Sequence, residues 1–339
     1  MTSITINGAF RPQRITGQQR YATEIADRVL AAAHVREAVP AGAWSGSAAR
    51  EWAWTLLRLP SMARGSTLLS LTSRAPVGMS QVLAVHDLFV LTHPEWYSRR
   101  YVMTHAPALR AQLASAAAVV AVSEPTAEDV AHHYDGEVVV APNAPSAVFA
   151  DPSRADHAIL DRLGVRRDGY LLTVGSMDPR KNLARLAHAF GTLPAATRSA
   201  FPLVVVGASA TIYRDAGLTW PEGVRSAGYV TDEELAALYR GSRAVVFPSQ
   251  AEGFGLPLVE AAAAGATGVV ISDLPVFRWI CGDGAAYVDP SSIASIAQGL
   301  ERAIENGVPA MDVDLERFDW DASAATVSAA CDRAPAVAP

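Results

Sequence analysis

The segment Pro248-Ser249-Gln250-Ala251-Glu252-Gly253-Phe254-Gly255-Leu256-Pro257-Leu258-Val259-Glu260 places two carboxylates on either side of a glycine-containing loop. The apolar run Ala244 to Phe247 precedes it and an alanine-rich run follows, so it reads as a strand, a loop and a helix start. The first amides of a helix lack internal partners and carry the positive end of its dipole. Gly253 and Gly255 would let an anionic group come close to them, and a phosphate would fit. Glu252 and Glu260 are poor phosphate ligands, so their natural partners are hydroxyls on either side of a phosphate. One carboxylate could hold a ribose and the other a transferred hexose, as a nucleotide diphosphate sugar would require.

A second loop, Val174-Gly175-Ser176-Met177-Asp178-Pro179-Arg180-Lys181-Asn182, also follows an apolar run and precedes a helical pattern. It carries the single lysine of the chain; the other 27 basic residues are arginine. A bias that converts interchangeable surface lysines to arginine draws attention to the exception, because an ammonium is a compact point charge and a guanidinium a planar fork. Survival of one lysine by chance accounts for the same observation. Two cations at the C-terminal end of a strand would neutralise a departing diphosphate, although the same residues would also suit a solvated surface turn.

The elements that must position these loops alternate between strand-like and helix-like throughout, which indicates an α/β fold with parallel strands. In the first half, strands are expected at Ile4 to Asn7, Thr67 to Leu71, Gln81 to Val85, Ala117 to Val122 and Glu137 to Ala141, with helices at Gly17 to Ala33 and Glu124 to His133. The second half restarts with strands at Tyr170 to Val174, Leu203 to Val206, Ala244 to Phe247 and Val269 to Ser272. Its helices are expected near Leu183 to Phe190, Asp232 to Tyr239 and Leu258 to Ala264. The proline-rich Pro142-Asn143-Ala144-Pro145 and the polar Asp151-Pro152-Ser153-Arg154 discourage regular structure between the halves. Two domains are therefore expected, 1–153 and 154–339. Arg50 to Arg64 mixes Trp52, Trp54 and leucines with arginines, and reads either as a partly buried amphipathic helix or as a peripheral membrane contact.

The totals exclude several classes. The chain has 339 residues, half of them hydrophobic, and a formal net charge of −6, so it has a core but no basic field for nucleic acid. Two cysteines, Cys281 and Cys331, make no disulfide framework or metal-site spacing, and a reducing cytoplasm fits them. The N-terminal residues show no signal-peptide pattern, and no apolar stretch reaches the ~20 residues of a membrane span. No Gly-x-Gly-x-x-Gly follows the first strand, which argues against a Rossmann dehydrogenase. Asp312-Val313-Asp314 could bind a divalent ion but lies apart from both loops and suits a turn or helix cap. Among eight histidines, His86 stands out because it ends a buried strand beside Asp87.

Taken together, the Gly175 to Asn182 loop and the Glu252 to Glu260 segment resemble the retaining glycosyltransferases of family 4, with their two glutamates separated by seven residues. Gly17-Gln18-Gln19-Arg20-Tyr21, His86-Asp87, Val122-Ser123-Glu124, Pro142-Asn143 and Ser272 to Phe277 extend the resemblance, in order, over most of the chain. It implies a GT-B fold, two Rossmann-like doubly wound domains facing across a cleft, the first binding acceptor and the second nucleotide sugar, with a last helix able to cross back to the first. It implies that Arg180 and Lys181 meet the diphosphate, that Ser176 is among the nucleotide-sugar-binding residues, that Glu260 holds the ribose, and that Val230 in Gly228-Tyr229-Val230 lies beside the base. Glu252 and the amides of Gly253, Phe254, Gly255 and Leu256 would meet sugar and phosphate. His86 would face the sugar from the first domain, and Gly17 would give the phosphates backbone access. Only one glycine stands in this first loop, where many members have two.

No cofactor or metal is implied, only a nucleotide sugar as co-substrate. Transfer of a hexose or deoxyhexose with retention to a saccharide or lipid-linked acceptor in envelope polysaccharide assembly is expected, with GDP-mannose favoured as donor and His86 and Glu252 orienting the sugar. A nucleotide-sugar epimerase of the same build, or a non-catalytic nucleotide-sugar-binding module, would share the phosphate site.

Overall fold

A computed structural model of the chain describes residues 3–13, 16–207 and 219–338. The chain divides into two compact units, Met1–Asn143 with Arg317–Pro339, and Ala144–Glu316.

The first unit holds a six-stranded sheet of β1 (Ile4–Asn7), β2 (Val35–Ala38), β3 (Thr67–Ser70), β4 (Val82–Val85), β5 (Ala118–Ala121) and β6 (Glu137–Val140), in the order β2-β1-β3-β4-β5-β6. Every pairing is parallel. The inner strands are apolar on both faces because helices cover both, which is why they read as continuous runs rather than alternating ones. The helix Gly17–Val29 inserts Tyr21, Ile25 and Val29 into this core, and Tyr21 donates to the Ala141 carbonyl. The last helix, Trp320–Arg333, packs against Gly17–Val29 in the same unit, and the Trp320 and Tyr21 ring centroids lie 5.9 Å apart.

The second unit repeats the plan with β7 (Leu171–Val174), β8 (Leu203–Val206), β9 (Val224–Gly228), β10 (Ala244–Phe247), β11 (Val269–Ser272) and β12 (Ala286–Val288), ordered β12-β11-β10-β7-β8-β9 and again all parallel. The order reverses between β7 and β10. Right-handed crossovers put the helices that follow these two neighbours on opposite faces, and the crevice at the strands' C-terminal ends is where open α/β sheets take ligands. Leu171, Val205, Val246 and Val270 of the sheet pack with Leu186, Phe190, Ile296 and Leu300 of the helices Leu183–Thr192 and Ile293–Glu305.

One expected boundary is corrected. The units divide after Asn143 rather than after Ser153, because the short helix Ala147–Ala150 buries Val148 and Phe149 in the second unit. There Phe149 meets Tyr239 edge-on and its carbonyl accepts from Arg240. Residues 317–339 group with the first unit, the crossing back of the last helix that the resemblance implies. Three strands also escaped the sequence reading: β2, β9 and β12. All three are sheet edges, where a short strand with one open side carries polar residues such as Arg36, Glu37 and Arg225. Among the described residues no helix is long and apolar enough to cross a membrane.

Candidate functional site

The two loops singled out in the sequence leave the adjacent strands β7 and β10, and the fold joins them directly. The Lys181 Nζ donates to Glu252 Oε1 at 2.7 Å, and the Ser249 hydroxyl donates to the same oxygen at 2.8 Å. Between them the Gln250 amide donates to the Arg180 carbonyl at 2.7 Å, and its side-chain nitrogen to the Pro179 carbonyl at 3.1 Å. One carboxylate oxygen thus gathers a cation and a hydroxyl at the switch point of the sheet.

The β7 loop is shaped by two residues to which the sequence gave no role. Asp178 caps the short 3-10 turn Pro179–Lys181 by accepting from the Arg180 amide, and its carboxylate also takes a forked contact from the Arg180 guanidinium, 2.6 Å at Nη2. Burial alone would raise the Asp178 pKa, but the Arg180 hydrogen bonds and the charges of Arg180 and Lys181 outweigh it and hold the carboxyl below its ordinary value. Asn182 then turns the chain with φ +59°, and its buried amide donates to the carbonyls of Pro248 and Pro290, both at 2.8 Å. It ties the ends of β7, β10 and β12 together. An Asp at an N-cap and an Asn before a helix are the signals that could have found these two.

The β10 loop ends in Gly255, whose φ of +96° an L side chain rarely adopts; a Cβ there would also lie 2.9 Å from the Phe277 ring. Glycine caps the helix Leu256–Ala263 without supplying a side-chain oxygen; Pro257 brings no amide hydrogen and the Leu258 amide donates to the Gly255 carbonyl at 2.9 Å, so the Leu256 amide is the first-turn donor that can face an acceptor. Phe254 is buried edge-on to Trp279, anchoring the loop. Glu260, one turn into the helix, is 5% exposed, and its charge helps to raise the pKa of the buried Tyr239 phenol, although desolvation is the larger cause. Gly253 is half-buried and Ser176 exposed.

Val230 follows β9 on the same edge of the sheet. The positions are linked stepwise: the Gly175 amide donates to the Val206 carbonyl and the Gly207 amide to the Gly228 carbonyl, and Gly207 packs its Cα against the Gly175 backbone. Tyr229 beside Val230 is 67% exposed.

Two of the expected residues belong to the first unit. Gly17 opens the helix Gly17–Val29 after a Thr16 cap that makes no side-chain cap bond, and a Cβ at Gly17 would meet nothing within 4 Å. His86 follows β4; its Nε2 lies 3.0 Å from the Leu71 carbonyl and its ring is edge-on to Tyr21, centroids 5.0 Å apart. A carbonyl only accepts, so Nε2 carries the proton and Nδ1 is an acceptor. Burial lowers the imidazole pKa below 6.5, against the opposing effects of the Leu71 bond and the Asp87 charge, so the ring is neutral near pH 7. Asp314, outside both loops, accepts from the Glu316 amide in a turn.

Comparison with known proteins agrees with this geometry. Residues 161–317 match the family described as glycosyl transferases group 1. The chain is 30% identical over 239 residues to the O-antigen chain mannosyltransferase B of Escherichia coli, which takes in 66% of this chain and 61% of that protein. Among solved structures, the sucrose-phosphate synthase of Thermosynechococcus elongatus superposes with a TM-score of 0.69 at 17% identity, covering 97% of this chain and 98% of the other. WaaG, a glycosyltransferase involved in lipopolysaccharide biosynthesis, superposes at 0.66 and 16% identity, with the same coverage. The two doubly wound units are those of the GT-B fold. Residues 161–317, which carry both the Lys181 loop and the Glu252 to Glu260 segment, are thus similar to the glycosyl transferases of group 1.

Proposed function

We propose that the protein is a retaining glycosyltransferase that moves mannose from GDP-mannose to a hydroxyl of a saccharide or lipid-linked acceptor, in envelope polysaccharide assembly at the cytoplasmic face. The observation that carries the reading is the convergence of Lys181, Glu252 and Ser249 beside the glycine-capped start of the helix Leu256–Ala263. The mannosyl preference is supported by the E. coli relative, whose alignment covers 61% of its length.

In this reading the diphosphate lies against the Leu256 end of the helix, receives hydrogen bonds from the loop amides, and competes with Glu252 for the Lys181 ammonium. The four charged groups of the two loops balance, two acids against two cations. The diphosphate, anionic from the start, gains a further negative charge as the glycosidic bond breaks, and donors already aimed there stabilise the transition state more than the ground state. Glu252 passes from Lys181 to the sugar hydroxyls. Glu260 takes the ribose, and Val230 lies beside the base. The acceptor hydroxyl attacks from the face the leaving phosphate vacates and gives that phosphate its proton, which retains the anomeric configuration. In the first unit, neutral His86 offers Nδ1 as an acceptor for a sugar hydroxyl, and Gly17 leaves its helix start open to a phosphate. Arg180, Lys181 and the amides manage the phosphate charge, and no metal is invoked.

Titration calorimetry with GDP tests the assignment: alanine at Lys181 or Glu260 should weaken binding by about tenfold or more, the scale of a charge-assisted hydrogen bond. Unchanged affinity in both variants would overturn it. Turnover of GDP-mannose without acceptor would instead identify an epimerase, and binding without GDP release on any acceptor a non-catalytic module.

A further inference from the structure

The first unit carries a recess lined by none of the residues used above. Its cavity of about 570 Å³ lies between the helices Ala48–Leu57 and Arg99–Ser115, walled by Trp52, Leu56, Val77, Tyr101 and Ala108. That volume is within the range of small-ligand pockets. Leu57 and Met103, on the same two helices, are 69% and 77% exposed, so the apolar surface continues beyond the recess.

The hydroxyls of Ser98 and Thr104 and the Nδ1 of His105 on this wall already have partners. The Thr104 hydroxyl donates to the Arg100 and Tyr101 carbonyls, His105 Nδ1 lies 3.1 Å from the Tyr101 carbonyl, and the Ser98 hydroxyl caps the Tyr101 amide. Tyr97, Tyr101 and His105 stack face to face, and Trp52 meets His105 edge-on. A sugar would find few partners for its hydroxyls on such a wall, whereas a hydrocarbon chain needs none. The charge beside it has one sign: Arg99–Ser115 contains Arg99, Arg100 and Arg110 and no acid, and Glu51 on the facing helix is buried against Arg74. Among the described residues no carboxylate pairs with Arg99 or Arg100.

We propose that this recess seats the hydrocarbon chain of a single anionic amphiphile, an isoprenoid or acyl phosphate, with Arg100 at its rim holding the phosphate. The site gives the lipid-linked acceptor class a seat; its role in transfer rests on the proposed function, but its binding does not.

Calorimetry on the full chain uses farnesyl phosphate below its micelle concentration, with farnesol and inorganic phosphate as its separated halves. Farnesyl phosphate should bind and inorganic phosphate should not. Ala108→Trp, which fills the recess, should weaken binding at least tenfold, as should Val77→Trp from the other wall, with the GDP-induced melting shift unchanged. Arg100→Gln should weaken farnesyl phosphate but not farnesol. Equal binding by both filled variants, or no binding by the wild type, would overturn the proposal. So would association with anionic phosphatidylglycerol vesicles alone, unaffected by filling, which would mark a bilayer surface instead. Loss of the GDP response with farnesyl phosphate binding intact would sink the donor reading and leave this site standing.

Discussion

At the scale of single residues, the structure alters how the charges of the site are counted. The loop sequence suggested two cations aimed at a diphosphate; each is instead matched with an acid, Arg180 with Asp178 and Lys181 with Glu252. Glu252→Gln keeps the shape of the side chain and removes the charge that competes for Lys181. GDP affinity should hold or rise a few-fold while mannosyl transfer falls on the order of 10²-fold, since one preorganised polar contact in a transition state is worth about that much. Calorimetry and turnover on the same preparation separate the two effects. His86 supplies a pH test. Its folded pKa lies below the unfolded value of 6.5, so the unfolded chain takes up a proton that the folded ring declines. Its contribution is unaffected above that pH and turns destabilising as pH falls through 6.5 towards the lowered folded value. The wild-type melting temperature should therefore fall more steeply below pH 6.5 than that of His86→Gln; parallel profiles would contradict the assignment. The carboxylates were legible in the sequence because they bracket a glycine loop between an apolar run and a helix start, and Lys181 because it is the single lysine of the chain. Asp178 and Asn182 were not given roles, because their work is done through backbone groups of Arg180, Pro248 and Pro290 that only the fold brings near.

At the scale of elements, a strand, a glycine turn and a helix are what place amides and carboxylates together. Gly255 is the vulnerable joint, combining φ +96° with a Phe277 ring that leaves no room for a Cβ. Gly255→Ala should destabilise the protein by about 1–3 kcal/mol, the usual strain of a side chain in that region, and should abolish stabilisation by GDP. Denaturant unfolding and thermal shift check both; a variant that keeps the full GDP response would show that the helix start is not the phosphate site. The inner strands were readable because burial on both faces demands uninterrupted apolar runs, as in Val245-Val246-Phe247. The edge strands β2, β9 and β12 were not, since half of their surroundings is solvent or loop and their residues need not be apolar. Arg50 to Arg64 resolves into the helices Ala48–Leu57 and Leu59–Met62. Trp54 and Leu59 are buried with Ala63 in one core cluster, while Leu56 and Leu57 stay exposed, so one segment combines a core face with an open apolar one.

At the scale of the whole molecule, the same six-stranded parallel plan occurs twice, and the two strand orders fix which loops can meet. In the second unit the reversal between β7 and β10 selects the Lys181 and Glu252 loops, so the site follows from topology as much as from motif. The halves were evident from the restart of the strand pattern, whereas the boundary was misplaced by about ten residues because Phe149 chooses its unit by packing, which local sequence does not record. The central claim is that this switch point binds a nucleoside diphosphate, and the most direct measurement is the melting temperature of the full chain with GDP, UDP or dTDP, repeated with Lys181→Ala. A ligand at about 100 times its Kd stabilises the state it binds by about 2.7 kcal/mol. The account predicts a rise of several degrees with GDP, smaller responses to UDP and dTDP, and loss of the GDP shift in the variant. No rise with any of the three, or an equal rise in wild type and Lys181→Ala, would contradict it.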